Sequence, residues 1–285
     1  MKTYNVNSTL KDPVWIKILN YLILIIMSVI SLFPLYWGLV TSLKPEGQIM
    51  TYPPRFIPET ITFENYYKVL FMSNYKTYFV NTIIVTIISV IFATIIAGHA
   101  AFAFSRMKFK HSDKIMFLVL MTSMIPPVAQ LIPLYILAVK SGLYNTKIVL
   151  VLIYAAWRTP ILTWLLKGFF DKLPIDIEES AMIDGCTKAK VLYKIVLPIS
   201  KPGIVSVALL SAVFVWNDYL VSASFVSQER HRMLSSGIYN YITGYGVQWG
   251  QLMGGVCMAI IPIVILFICL QKQFVAGLSA GAVKG

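Results

Sequence analysis

Asp184 and Gly185 lie at the centre of a polar stretch, GFFDKLPIDIEESAMIDGCTKAKVLYKIVLPISKP over 168–202, in a chain otherwise poor in charge. Asp171, Asp176, Glu178, Glu179 and Asp184 crowd its acidic first half, and Lys188, Lys190, Lys194 and Lys201 its second. Such a density of charge must be wet on at least one side. Pro174 ends any preceding helix, Asp176 is placed to cap a new one, and Glu179 stands where a capping box closes. A short helix over about 177–184 follows, Gly185 supplies the left-handed turn that closes it, and a second amphipathic stretch puts Val191, Ile195 and Val196 on one side before Pro198. Ser180 and Ala181 are small and let another backbone come close. An interfacial helix pair lying on lipid headgroups would not need the acidic half, because anionic lipid repels Asp and Glu; a basic groove on a protein partner attracts them. The stretch therefore reads as a docking element.

Two further charges stand inside apolar runs, Arg158 and Asp218, where an ionisable group costs about 2.5–3.5 kcal/mol and needs a partner or a wet cavity. Two readings stand for them: a polar path through the membrane, or positions near helix ends from which they snorkel. Trp216, Asn217 and Asp218 together would suit a sugar, with an apolar face for the ring and an amide and a carboxylate for its hydroxyls. Pro126, Pro127 and Pro133 remove helix hydrogen bonds and favour a helix that lines a pathway, with a kinked packing helix as the alternative. Tyr239, Tyr241, Tyr245 and Trp249, among Gly244, Gly246 and Gly250, would either reach a substrate donor outside or form an interfacial aromatic belt.

Nothing else in the chain has catalytic spacing. His99, His111 and His231 fall in separate segments, without a metal-binding pattern. Cys186, Cys257 and Cys269 are isolated and read as small apolar fillers. The phosphate-cradling Gly-x-x-x-x-Gly-Lys-Ser/Thr loop does not occur in the sequence. No catalysis, metal or cofactor is expected in this chain.

The elements that must carry these residues follow from composition. The 285 residues are 58% hydrophobic and 13% charged, with a mean hydropathy of +0.74, against roughly a quarter charged in soluble domains. The net charge of +12 does not point to nucleic acid, since no basic stripe is interleaved with stacking aromatics; the cations cluster between apolar runs instead. Charge-free intervals long enough to cross a bilayer predict spans near 18–40, 78–104 and 115–138, with further spans near 147–167 (holding Arg158), 203–226 (holding Asp218) and 252–271. The first is too long for a cleaved signal and is followed by more spans. Lys and Arg number fifteen on the side of the N-terminus and the 168–202 loop and eight on the other, which puts both termini and that loop in the cytoplasm. The expected organisation is a cytosolic N-terminus (1–17), one all-α integral-membrane domain (18–271) holding the loop 168–202, and a cytosolic tail (272–285). Residues 41–76 read as an irregular, ordered cap outside.

Glu178-Glu179-Ser180-Ala181, Asp184-Gly185, nine residues, then Ile195-x-Leu197-Pro198 resembles the EAA loop of ATP-binding-cassette importer permeases. That loop reads Glu-Ala-Ala, three residues, Gly, nine residues, Ile-x-Leu-Pro. Ser180 and Cys186 depart from it, and both are small. Phe33-Pro34 with Ser42-Leu43-Lys44, Asn81-Thr82, the run Ala100 to Arg106, Pro133-Leu134-Tyr135, Trp216-Asn217-Asp218 and the ending Gly277 to Gly285 are similar to the smaller permease of maltose-type carbohydrate importers. The resemblance implies the type I importer permease fold, with six spans and cytosolic coupling helices. It implies coupling through Glu178, Glu179, Ser180, Ala181, Asp184, Gly185, Ile195, Leu197 and Pro198, and a tail contact through Gly281, Lys284 and Gly285. Implied partners are a second permease completing a heterodimer, two ATP-binding subunits that use ATP and magnesium, and an extracytoplasmic solute-binding protein, all within membrane lipid. Pro126, Pro127, Tyr135, Arg158, Trp216, Asn217 and Asp218 are the candidates for the translocation path. The rivals are import of glycerol phosphate or another polar solute by the same machinery, and a secondary transporter or channel, which would need neither the acidic helix pair nor the tail.

Overall fold

The computed structural model describes residues 13–107, 109–244 and 246–282, the last ten of these by backbone alone. It is almost wholly helical. Helix α1 (Val14–Ser42) runs through 29 residues, about 43 Å of helix and enough to cross a bilayer with tilt. The segment after it has a single 3-10 turn, Glu46–Gln48, before the short α2 (Glu64–Phe71). Asn65 ties this cap together, donating to the carbonyls of Ser42 and Lys44 at 3.0 and 2.9 Å. Lys44 is 2% exposed, donates to the Arg55 carbonyl and lies over the Trp37 ring; burial, with the Arg55 charge close by, holds its pKa below the usual lysine value.

Helix α3 (Tyr75–Arg106) packs along α6 (Lys147–Phe170), and the sequence explains the fit. Ala93, Ala97 and Ala101 repeat every four residues on α3 and are fully buried; Leu162, Leu166 and Phe170 repeat likewise on α6 and fill the same cluster. Small residues on one face let the backbones approach, and large ones on the other fill the seam.

Between them the chain departs from the expected single span over 115–138. α4 (Ser112–Thr122) and α5 (Pro127–Lys140) are bent by 87° to one another. The cause is local. Pro126 and Pro127 have no N–H to continue the helix, and each pushes the residue before it towards extended backbone; Pro126 itself sits at φ −54°, ψ 130°. Gln130 takes up one freed carbonyl, its amide donating to Ile125 at 3.1 Å.

The second half holds α7 (Ile175–Ile183), α8 (Lys188–Val191), a π-helical stretch Leu192–Val196 and α9 (Leu197–Ile199). Then come α10 (Lys201–Asn217), α11 (Leu220–Phe225), α12 (Leu234–Ile238) and α13 (Trp249–Ala282). Pro198 does not stop the second amphipathic stretch as expected; it lies within α9, and the chain turns by 77° into α10 at Ser200. The expected span 203–226 is likewise shorter, because α10 ends at Asn217 and Asp218 begins a new turn. α13 runs past the expected limit of 271, continuing as helix through Ala282.

Four helices are long and apolar enough to cross a membrane, and up to six spans result if each bent pair counts as one, among the described residues. The eighteen-residue apolar window of α1 buries nothing, against 44% of that of α6. The interior therefore lies around α3, α6 and α10, with α1 outside against α13. Near the start of α3, Asn81 and Thr82 hold the 227–241 segment. The Asn81 amide donates to the carbonyls of Arg230 and Arg232, and the Thr82 hydroxyl accepts from the Leu234 N–H. Gly237 gives the close approach there, since a Cβ on it would run into the Tyr78 ring.

Candidate functional site

Helix α7 begins without the expected Asp176 cap. Pro174 precedes it and no side chain caps it; Asp176 and Glu178 instead sit in its first turn, where their charge favours the positive helix end. The capping box through Glu179 does not form. Ser180 bonds back to the Asp176 carbonyl at 2.8 Å. Gly185 has φ +84°, the left-handed turn expected of it, and Thr187 caps α8 by accepting from the Lys190 N–H. Val191 and Val196 are buried as expected, with Leu192 beside them, while Ile195 is half-buried.

The acidic side chains divide. Glu179, Ser180, Asp184 and Gly185 are exposed and Ala181 half-buried; Leu197 is half-buried and Pro198 exposed. Glu178 turns inward and is 4% exposed. It meets Arg106, the last residue of α3, through two nitrogens, Nε at 2.8 Å and Nη2 at 2.7 Å. The same guanidinium donates to the Phe170 carbonyl at the end of α6 and to the Ser105 hydroxyl, which donates to Asp171; Asp171 is paired with Lys167. One arginine thus ties the ends of α3 and α6 to α7. Its signal in the sequence was its place ending the Ala100 to Arg106 run, but its partner lies 72 residues away.

The opposite face of α7 is free of this network and carries apolar side chains in the open, Ile183 at 86% and Ile177 at 46% exposed, next to Glu179 and Asp184.

The second region lies at the break between α4 and α5. A cavity of about 450 Å³ opens there, lined by Pro127, Gln130, Trp157, Arg158 and Phe214 among others. The Arg158 guanidinium lies 4.5 Å over the Phe214 ring, its Nε is buried without a hydrogen-bond partner, and it takes part in none of the ion pairs among the described residues. Trp157 donates from its ring nitrogen to Gln130 at 2.9 Å, bracing α6 against α5. Gln130 and Trp157 escaped sequence reasoning, since an amide and an aromatic inside apolar runs carry no signal alone.

Tyr135, Trp216, Asn217 and Asp218 do not line this cavity. Tyr135 packs its ring on Tyr144 and Phe225, away from the cavity. Trp216 is buried, donates to the Ala259 carbonyl of α13 and meets Phe79 edge-on. Asn217 is exposed and bonds to its own helix at Val213. Asp218 is a joint: it accepts from the Tyr154 hydroxyl at 2.8 Å and from the Val221 N–H at 2.9 Å, ending α10 and starting α11. Trp216 and Asn217 line a second cavity, of about 240 Å³, whose lining does not include Asp218. In the 239–249 loop, Tyr241 is buried and shares a hydrogen bond with Ser73, Tyr239 packs on Tyr219 and is exposed, and Trp249 is at the surface; Tyr245 lies outside the described residues. Gly281 is in α13 by backbone only, and Lys284 and Gly285 lie outside the described residues. No group of three or more His, Cys, Asp or Glu that could hold a metal occurs among the described residues.

A bundle of apolar helices with a broken one beside a charged cavity, and an acidic helix latched to its end, defines a polytopic membrane transport subunit. The chain belongs to the binding-protein-dependent transport system inner membrane components, a family matched over residues 95–279. It is 32% identical over 269 residues to a sulfoquinovosyl glycerol transport system permease of Agrobacterium fabrum, covering 94% of each chain. It is 34% identical over 279 residues to a trehalose/maltose transport system permease of Thermococcus litoralis, covering 97% of this chain and all of the other. Its fold is similar to that of a chain from a bacterial ABC transporter involved in alginate import, with a TM-score of 0.79 at 22% identity over 91% of this chain and 96% of that one.

Proposed function

We propose that this chain is one of two pore-forming permeases of an ATP-driven importer that carries a carbohydrate across the cytoplasmic membrane. Six spans, with α4–α5 one of them, put both termini and α7 in the cytoplasm, in keeping with the excess of Lys and Arg on that side. Two separate ATP-binding subunits supply the energy with ATP and magnesium, and one of them docks on the open face of α7. The tail through Gly281, Lys284 and Gly285 makes a second contact with them. A solute-binding protein delivers the sugar over 41–76 and 227–251. The relatives named above are permeases of sugar-transport systems, which supports the carbohydrate reading.

The observation that carries the coupling is the division of α7 into an open face at Glu179, Ile183 and Asp184 and a latched face at Glu178. ATPase closure pushes the open face. The Arg106–Glu178 pair passes the displacement to the ends of α3 and α6, so the spans rock between inward-open and outward-open states. Purifying the chain with its neighbouring subunits tests the reading: an ATPase co-purifies, proteoliposomes take up sugar only with ATP, and Ile183→Asp releases the ATPase. Uptake without an ATPase, or an Ile183→Asp subunit that still binds one, defeats it.

A further inference from the structure

The cavity at the α4–α5 break holds Arg158, which enters none of the ion pairs among the described residues. α4 has 11 residues and Arg158 stands eleven residues beyond the start of α6. At 1.5 Å per residue both the break and the charge therefore lie about 16 Å along their helices, near the middle of a hydrocarbon core roughly 30 Å thick. Lipid headgroups do not reach that depth. A charge there needs a counter-charge or water, and the Phe214 ring supplies only a fraction of one. The nearest carboxylate along α10, Asp218, is engaged by Tyr154 and Val221 and forms no ion pair with Arg158.

Two features beside Arg158 act in the same direction. α5 starts at the break with Pro127 in its first turn and on the cavity wall, so the positive end of a 14-residue helix adjoins the space. Broken spans in transporters present such half-helix ends to anionic groups of their substrates. Trp157 also lines the cavity with its ring nitrogen already engaged by Gln130, leaving an apolar surface of the kind a sugar ring packs on. The volume of about 450 Å³ falls within the range of small-molecule sites.

We propose that this cavity is an anion subsite on the translocation path, where Arg158 pairs with the acidic group of an acidic carbohydrate such as a uronate. The proposal rests on the carbohydrate reading above and narrows its substrate class. It also assigns the break at Pro126 and Pro127 a purpose, that of bringing a helix end to the bilayer midplane.

The test is equilibrium binding to the detergent-purified complex of both permeases and the ATPases, without the solute-binding protein. The probes are disaccharides of glucuronate, galacturonate and mannuronate beside their uncharged hexose counterparts. At least one acidic disaccharide is expected to bind the wild-type complex tenfold or more tightly than its neutral counterpart. Arg158→Gln, close in polarity but uncharged, abolishes that preference, and Arg158→Lys, which keeps the charge, retains part of it. Equal binding of acidic and neutral sugars in the wild type overturns the proposal, as does a preference that survives in Arg158→Gln or vanishes equally in Arg158→Lys. Binding of neutral sugars alone overturns it and leaves the carbohydrate reading standing; binding of no sugar overturns both.

Discussion

In the coupling proposed above, Arg106 is the residue that carries displacement from α7 to the spans. Its side chain is 11% exposed and that of Glu178 5%, so the pair is shielded from water and salt in a way surface pairs are not. Removing one member leaves a buried charge unmatched. Arg106→Ala is therefore expected to cost about 3–5 kcal/mol, whereas Arg106→Met with Glu178→Met in the same chain costs far less. Thermal unfolding of the purified complex separates the two cases, and in both variants ATP hydrolysis is expected to continue while uptake falls at least tenfold. The sequence showed both members, each inside a separate resembling motif, yet a pair 72 residues apart leaves no mark in either motif alone. Gly185 was legible for the opposite reason. Its conformation follows from the chain within one turn, since a helix ending in Asp-Gly has few other ways to close.

The broken span shows what proline does and does not announce. Pro126 and Pro127 made a kink certain by removing two N–H groups, but the 87° turn depends on what lies across from it, namely Gln130, Trp157 and Phe214. Restoring helix-forming residues is a direct probe. Pro126→Ala with Pro127→Ala recovers about 3 kcal/mol of propensity per residue. The variant is expected to straighten α4 into α5 and close the cavity, with the complex still assembled by gel filtration and uptake reduced at least tenfold. Unchanged uptake would make the break a packing feature. The span expected near 252–271 agrees with the candidate span Trp249–Lys272, while the helix that carries it is longer. Charge marks where a helix leaves the hydrocarbon, not where the helix itself ends, so Lys272 set the expected limit although the backbone stays helical to Ala282.

At the scale of the molecule, the presence of several long apolar helices followed from the bilayer alone, because hydrocarbon admits few charges and demands internally satisfied backbone. The arrangement of the runs did not, since it depends on the Ala93, Ala97 and Ala101 seam and on the cap around Asn65 and Asn81. That cap is tightly made. Gly237→Ala drives a methyl into the Tyr78 ring and is expected to destabilise by about 1–3 kcal/mol, seen as earlier proteolysis of the 227–241 segment with α7 unaffected. α1 buries nothing in its apolar window, so the chain presents there an apolar surface suited to lipid. The central claim is that the open face of α7 receives the ATPase. The most direct measurement is cross-linking from Ile183→Cys, in a chain with Cys186→Ser, Cys257→Ser and Cys269→Ser, to the co-purified ATPase subunit. A cross-link whose yield changes when ATP is added is the predicted result; a cysteine at 183 that is freely alkylated in the assembled complex and joins no subunit would contradict the account.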